Sequence, residues 1–235
     1  MTAGDRRAEL AERLDVVRGR IASACTAAGR DPDEVTLVVV TKYFPESDLR
    51  LLAGLGVRDV GENKHQEAQV KAAACADLDL RWHFVGNLQS NKAAAVASYS
   101  SVVESVDRAK LLRGLGEGAH RAGRVLDVLI QVSLDLAPGS ARGGCPPADV
   151  PDLAARVQAA EGLRLRGVMA VAPRGEDPAP AFGRLAEVAQ DVRALDPAAT
   201  WVSAGMSGDL EEAVAAGATH VRIGSAVLGE RPPLR

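Results

Sequence analysis

The hydrophobic positions of this chain form one opening stripe followed by a repeating alternation. Leu10, Leu14, Val17 and Ile21 recur at intervals of four, three and four, which predicts an amphipathic helix over residues 5–28. Gly29 and the pair Asp31-Pro32 then supply helix-stopping signals. Beyond them, short β-branched or apolar runs predict strands at 36–41, 58–61, 82–85, 102–106, 126–132, 163–171, 200–203 and 220–223. Helical patterns lie between the runs. The clearest covers 184–195, where Leu185, Val188, Ala189, Val192 and Leu195 share a face.

Eight strands alternating with helices read as parallel βαβ units, and eight is the number that closes a (β/α)8 barrel. The expected fold class is α/β: one TIM-type barrel domain over residues 1–235 with an extra N-terminal helix. The alternative is an open doubly wound sheet. Against it, no G-x-G-x-x-G follows the first strand and no G-x-x-x-x-G-K-[ST] occurs anywhere. No Pro/Gly/Ser-rich linker divides the chain, and the stretch 137–147 (APGSARGGCPP) reads as the loop after the fifth strand.

Composition narrows the function classes. Hydrophobic residues make up 47% and charged residues 25% of 235 positions, a balance usual for globular proteins. The net charge of −3 supplies no basic field to draw nucleic acid or acidic membranes. Arginines interspersed with acids, such as Arg6 and Arg7 near Glu9 and Glu12, read as solvated helix faces. Cys25, Cys75 and Cys145 show neither a CxxC nor a Cys/His ligand spacing, so neither disulfides nor zinc are expected. The N-terminus lacks a basic stub before an apolar run, and apolar stretches such as 35–40 are too short to span a bilayer. A soluble, cytoplasmic protein with no membrane or nucleic-acid partner is expected.

In a barrel, chemistry collects at the C-terminal ends of the strands. Those positions hold Lys42, Glu62-Asn63, His83 with Gly86-Asn87, Glu104, Ser133, Met169, Ser203 to Ser207 and Arg222 to Ser225. Of five lysines, Lys64, Lys71, Lys92 and Lys110 fall in helical patterns where solvation is the default, and Lys42 alone ends an apolar run (TLVVVTK). A partly desolvated amine there favours the neutral nucleophile that Schiff-base chemistry needs. An exposed lysine pairing with Glu46 or Glu62 is the alternative. After strands seven and eight come SAGMSGD and RIGS, where barrels often bind phosphate. Gly205, Gly208 and Gly224 permit close backbone approach, and Ser203, Ser207 and Ser225 supply hydroxyls. Ordinary βα turns would use the same residues. A phosphorylated aldehyde cofactor and a sugar-phosphate aldolase substrate both remain open on these grounds.

The segments VVVTK (38–42), GEN (61–63), WHFVGNLQSNK (82–92), LRGVMAV (165–171), SAGMSGDLEEAVAAG (203–217) and VRIGSAVLG (221–229) together resemble the pyridoxal 5′-phosphate (PLP) homeostasis proteins, the YggS/PROSC or alanine racemase N-terminal-like family. They occur in family order over nearly the whole chain. The resemblance implies a fold-type III PLP barrel with PLP as cofactor in Schiff-base linkage to Lys42. It implies a phosphate site from Ser203, Gly205, Met206, Ser207, Gly224 and Ser225, with Arg222 near the pyridine nitrogen. Asn63, His83 and Met169 would line the pocket, although His83 could instead fill a barrel layer. Phe44 and the stretch 141–144, with Arg142, stand where relatives often carry lysines.

The resemblance leaves two function classes: a non-enzymatic carrier delivering PLP to apo PLP-dependent enzymes, and a racemase or other fold-type III enzyme. Racemisation needs proton donors on both faces, and alanine racemases take a tyrosine from a second β-domain. Only ten residues follow Ser225 here. Tyr43 is expected to face away by strand alternation, and Tyr99 sits near a helix end. An arginine at the ring nitrogen also weakens PLP as an electron sink. A carrier is therefore the expectation, and a monomer is expected separately because nothing in the sequence marks an interface.

Overall fold

Short apolar strands that must bury both faces can do so by closing on themselves, and these eight close in sequence order into a parallel barrel. The computed structural model describes residues 2–135 and 143–230. The strands are β1 Thr36–Val40, β2 Asp59–Glu62, β3 Arg81–Phe84, β4 Val102–Val106, β5 Leu126–Gln131, β6 Leu163–Met169, β7 Trp201–Ser203 and β8 His220–Ile223. Closure is made by β1 against β8, with Thr36 opposite His220 and Val39 opposite Ile223. The helices are α1 Ala3–Ala27, α2 Glu46–Gly54, α3 His65–Ala74, α4 Ala93–Tyr99, α5 Leu112–Arg121, α6 Val150–Gln158, α7 Pro178–Leu195, α8 Leu210–Ala215 and α9 Ser225–Leu228.

Every expected strand is present, with ends shifted by up to two residues. The shift that matters is at β1, which stops at Val40, so that Thr41, Lys42 and Tyr43 leave the sheet. Tyr43 adopts φ 73°, a left-handed conformation for a non-glycine residue. Strand alternation therefore does not govern where Tyr43 points.

The leading helix starts where Thr2 and Asp5 cap each other, Asp5 N donating to Thr2 Oγ1 at 3.2 Å and Thr2 N to Asp5 Oδ2 at 2.9 Å. Its stripe of Leu10, Leu14, Val17 and Ile21 is buried, packing α1 against α2, α8 and α9. Burial of each such side chain contributes about 1.5–3 kcal/mol. Arg6 departs from the solvated face expected of it. Its guanidinium reaches Asp48 Oδ2 at 2.7 Å and Leu228 O at 3.0 Å, because α1 packs against both α2 and α9.

Two apolar layers fill the space between helices and sheet, while a smaller cluster of Val102, Leu129 and Met169 packs apart from both. The three cysteines are buried and free. Among the described residues no helix is long and apolar enough to cross a membrane, and no group of His, Cys, Asp or Glu could hold a metal ion.

Candidate functional site

The strand ends and the loops after them enclose a cavity of about 410 Å³, within the range of small-molecule sites. Lys42, Asn63, Met169, Met206, Ser207, Arg222, Gly224 and Ser225 line it, joined by Val40, Phe44, Val85, Gly86, Gly208, Gln131, Val171 and Gly229. Gly86 is required by close approach: a Cβ there would lie 2.0 Å from the carbonyl oxygen of Asn63, so any side chain would push β2 and β3 apart at the rim.

Lys42 projects from the turn after β1, partly exposed, and makes no ion pair among the described residues. The backbone around it is unusually well held. Lys71, expected in solvent, is buried, and its ammonium donates to Thr41 O at 2.8 Å, Glu62 Oε1 at 2.7 Å and Glu67 Oε1 at 2.6 Å. Its helical position is as expected; its surroundings are not, because α3 turns this face toward the buried end of β2. All three N–H donors are thereby used. Thr41 Oγ1 donates to Glu62 Oε1 at 2.6 Å, and the Tyr43 N–H donates to Glu67 Oε1, also at 2.6 Å. These bonds hold a turn whose left-handed Tyr43 costs about 1–3 kcal/mol. Burial raises the pKa of Glu62, with Lys71 opposing. Glu62 Oε2 and Asn63 Oδ1 are buried without a hydrogen-bond partner among the described residues.

Across the cavity, Arg222 is fixed from behind by a polar chain threading the barrel. Its guanidinium donates to Ser203 Oγ at 2.6 Å and Ala170 O at 2.7 Å, and lies 3.7 Å from Glu104 Oε2. Ser203 Oγ in turn donates to Glu104 Oε2 at 2.6 Å. His83 stands between two carboxylates, with Nδ1 2.7 Å from Glu104 and Nε2 3.0 Å from Asp59. Burial opposes charge on His83, but Asp59 and Glu104 outweigh it and raise its pKa. Burial likewise works against the Glu104 carboxylate, yet His83, Arg222 and Ser203 hold it down at about 2. These groups form an alternating row of charge that keeps the Arg222 guanidinium at the cavity wall.

The adjoining His220 is different. Burial pushes its pKa down to about 4, and its ring packs against Trp201 at 4.4 Å between centroids. The folded protein keeps this ring neutral where the unfolded chain takes up a proton, so stability falls as pH drops from about 6.5 toward 4. The expected loss is about 2–3 kcal/mol. Urea unfolding at neutral pH and near pH 4.5 measures it, and His220→Phe, which keeps the ring packing, is expected to flatten that pH dependence. An equal dependence in the variant would assign the effect to other groups.

The turn after β7 shapes the third wall. Gly205 has φ 91°, and a Cβ would meet Ala213 at 2.7 Å, so this glycine lets the loop lie on α8. Beside Gly208 there is open space. Among the described residues, the N–H groups of Ser207 and Gly208 have no acceptor, whereas that of Met206 donates to Asp209 Oδ1 at 2.6 Å. The hydroxyls of Ser207 and Ser225 lie 3.4 Å apart. From outside, Arg20 on α1 donates to Ser207 O at 3.0 Å and pairs with Glu211 at 2.8 Å.

A family model described as alanine racemase, N-terminal domain, matches residues 30–232. A pyridoxal phosphate homeostasis protein from Mycobacterium tuberculosis (strain ATCC 25618 / H37Rv) is 43% identical over 246 residues, spanning 97% of this chain and 95% of its own. The chain belongs to the pyridoxal phosphate homeostasis family. A member from Pseudomonas aeruginosa is also 43% identical, over 226 residues, with 94% of this chain and 96% of that protein covered. PipY of Synechococcus elongatus PCC7942, solved without and with PLP bound, superposes with TM-scores of 0.83 and 0.78. It is 33% identical, covering 94% of this chain and 100% of PipY.

Within this member of the homeostasis family, the residues expected at the site divide into two sets. Eight of them line the cavity, as described above. Ser203, Gly205 and His83 are not among the lining residues: Ser203 and His83 belong to the polar row behind Arg222, and Gly205 to the packing of the loop on α8. For His83 this is the barrel-layer role. Phe44, standing where relatives often have a lysine, is a lining residue with Arg6 over its ring at 5.9 Å. Arg142 lies outside the described residues. Sequence reading missed Gly229 and Gln131 as lining residues. Lys71, expected in solvent, is interior, and its i, i+4 spacing from Glu67 gave no signal of that burial.

Proposed function

We propose that the protein binds PLP in the Lys42 cavity and acts in PLP homeostasis, holding and delivering the cofactor rather than transforming a substrate. The observation that carries this reading is the convergence on one cavity of a lysine without an ion pair among the described residues, a fixed arginine, and turns with unpaired N–H groups. The donor set fits a phosphorylated aldehyde. Ser207, Gly208, Gly224 and Ser225 would hold the phosphate, with Met206, Gly205 and Ser203 shaping the loop. Arg222 would face the ring nitrogen, the orphaned Asn63 Oδ1 would accept from a ring substituent, and Met169 would cover an apolar part of the ring. PLP supplies an aldehyde and an electron-accepting ring when bound. Lys42 would hold PLP through its amine, joined to the aldehyde carbon with the carbonyl oxygen lost as water.

Two features favour a carrier over a racemase. Lys42 and Arg222 are the ionisable side chains of the described lining, so among the described residues no second acid lines the cavity with Lys42. Arg222, kept cationic by Glu104, would resist protonation of the ring nitrogen and so restrain carbanion chemistry. The barrel would work as one monomeric domain, with apo PLP-dependent enzymes as receivers.

The test uses the protein purified with PLP. A violet-region absorption band, a borohydride-reduced adduct mapping to Lys42, and no turnover in racemase and transaminase assays are the expected results. An adduct on Lys92 or another helical lysine sinks the assignment of the linkage, and sustained turnover sinks the carrier reading.

A further inference from the structure

The two peptide groups that flank Lys42 are tied to a single ion pair, buried at Lys71 and partly buried at Glu67. The peptide before it presents Thr41 O to the Lys71 ammonium at 2.8 Å, and the peptide after it presents the Tyr43 N–H to Glu67 Oε1 at 2.6 Å. Lys71 and Glu67 bond each other through that same Oε1 at 2.6 Å, and they sit one turn apart on α3. Glu62 completes the set from β2, taking Lys71 Nζ and Thr41 Oγ1 on one oxygen. A backbone pinned on both sides, with a left-handed residue immediately following, presents its side chain in one direction.

We propose that Lys71 and Glu67 are positioning residues that clamp the Thr41–Tyr43 backbone so that the Lys42 amine is aimed into the cavity. This inference rests on the reading of Lys42 as the residue that links PLP. The clamp touches neither the Ser207–Gly208 turn nor the Gly224–Ser225 turn, so its effect falls on the covalent step and not on recognition of phosphate and ring. An ion pair that merely anchored α3 would not make that distinction.

The full-length protein and two probes separate the cases. PLP reports the covalent step through the rate of borohydride-trappable adduct formation at Lys42. Pyridoxine 5′-phosphate, which has the ring and phosphate but no aldehyde, reports recognition alone. Glu67→Ala removes the acceptor for Tyr43 N–H. Lys71→Met is combined with Glu62→Gln, so that the carboxylate of β2 is not left charged without its cation. Both variants are expected to slow adduct formation about tenfold while binding pyridoxine 5′-phosphate within about twofold of wild type. Glu67→Gln keeps a carbonyl oxygen that can accept from both Tyr43 and Lys71, and it is expected to recover most of the lost rate.

The clamp is overturned if adduct formation is unchanged in both variants. It is overturned equally if pyridoxine 5′-phosphate binding falls in parallel with adduct formation, or if Glu67→Gln is as slow as Glu67→Ala. Should the double variant fail to unfold cooperatively, the Glu67→Ala and Glu67→Gln pair decides the matter, since Glu67 is only partly buried. A wild-type protein that forms no adduct at Lys42 refutes the linkage itself, an outcome distinct from all of these.

Discussion

Lys42→Ala is expected to abolish the covalent PLP adduct completely, removing the violet-region band and leaving nothing for borohydride to trap. The reason is chemical: among the described residues, Lys42 is the lysine that lines the cavity. The remaining walls are untouched by the change. The Ser207–Gly208 and Gly224–Ser225 turns and Arg222 keep their own supports, so reversible binding of phosphate and ring survives. Retention of PLP through desalting is expected to fall by about a hundredfold, the scale lost when a reaction partner is no longer held in place. Lys42→Arg serves as the control, because it keeps a long basic side chain at the position and cannot form the linkage. A full-strength band in Lys42→Ala would move the linkage elsewhere.

Glu104→Ala carries the largest expected loss of stability. Glu104 sits 1% exposed inside the barrel, where it serves His83, Ser203 and Arg222 at once. Its removal leaves an imidazolium and a guanidinium buried with one carboxylate, Asp59, on the far side of the histidine. Breaking one partner of a buried pair costs about 3–5 kcal/mol, a large share of the roughly 5–15 kcal/mol that stabilises a typical domain. Urea unfolding measures this directly. Glu104→Gln, which preserves an acceptor for His83 or Ser203, is expected to lose less. A loss below about 1 kcal/mol in Glu104→Ala would place the row of charge in a solvated rather than a buried setting. Because Glu104 holds Arg222 at the cavity wall, the same variant is also expected to bind PLP less tightly.

Which of these features could be read from the sequence follows from the range of the interactions involved. The barrel was legible because each strand is a local run of apolar residues, and the count of runs fixes closure. Lys42 was legible because it ends such a run. Lys71 was not, and α3 shows why: it exposes Val70 and buries Lys71, the reverse of an amphipathic pattern. A Glu67–Lys71 pair at i, i+4 reads as a surface ion pair. Only the arrival of Glu62 from β2 and Thr41 from the turn after β1 makes it an interior one. The depth of His83 was hidden for a related reason. Alternation tells that a residue faces inward, but its layer depends on how the strands are staggered, and β3 pairs His83 with Val102 at the start of β4.

The contact between α1 and the turn after β7 has a wider meaning. Arg20 reaches the carbonyl of Ser207, a residue that lines the cavity, so a helix of 25 residues outside the barrel leans on the turn that forms one cavity wall. By linkage, any occupant that favours one geometry of that turn also favours the seated helix, and a loosened helix weakens the occupant's hold by the same factor. With PLP seated as proposed, its retention is a property shared with the first helix: whatever grips α1 from outside gains a handle on release.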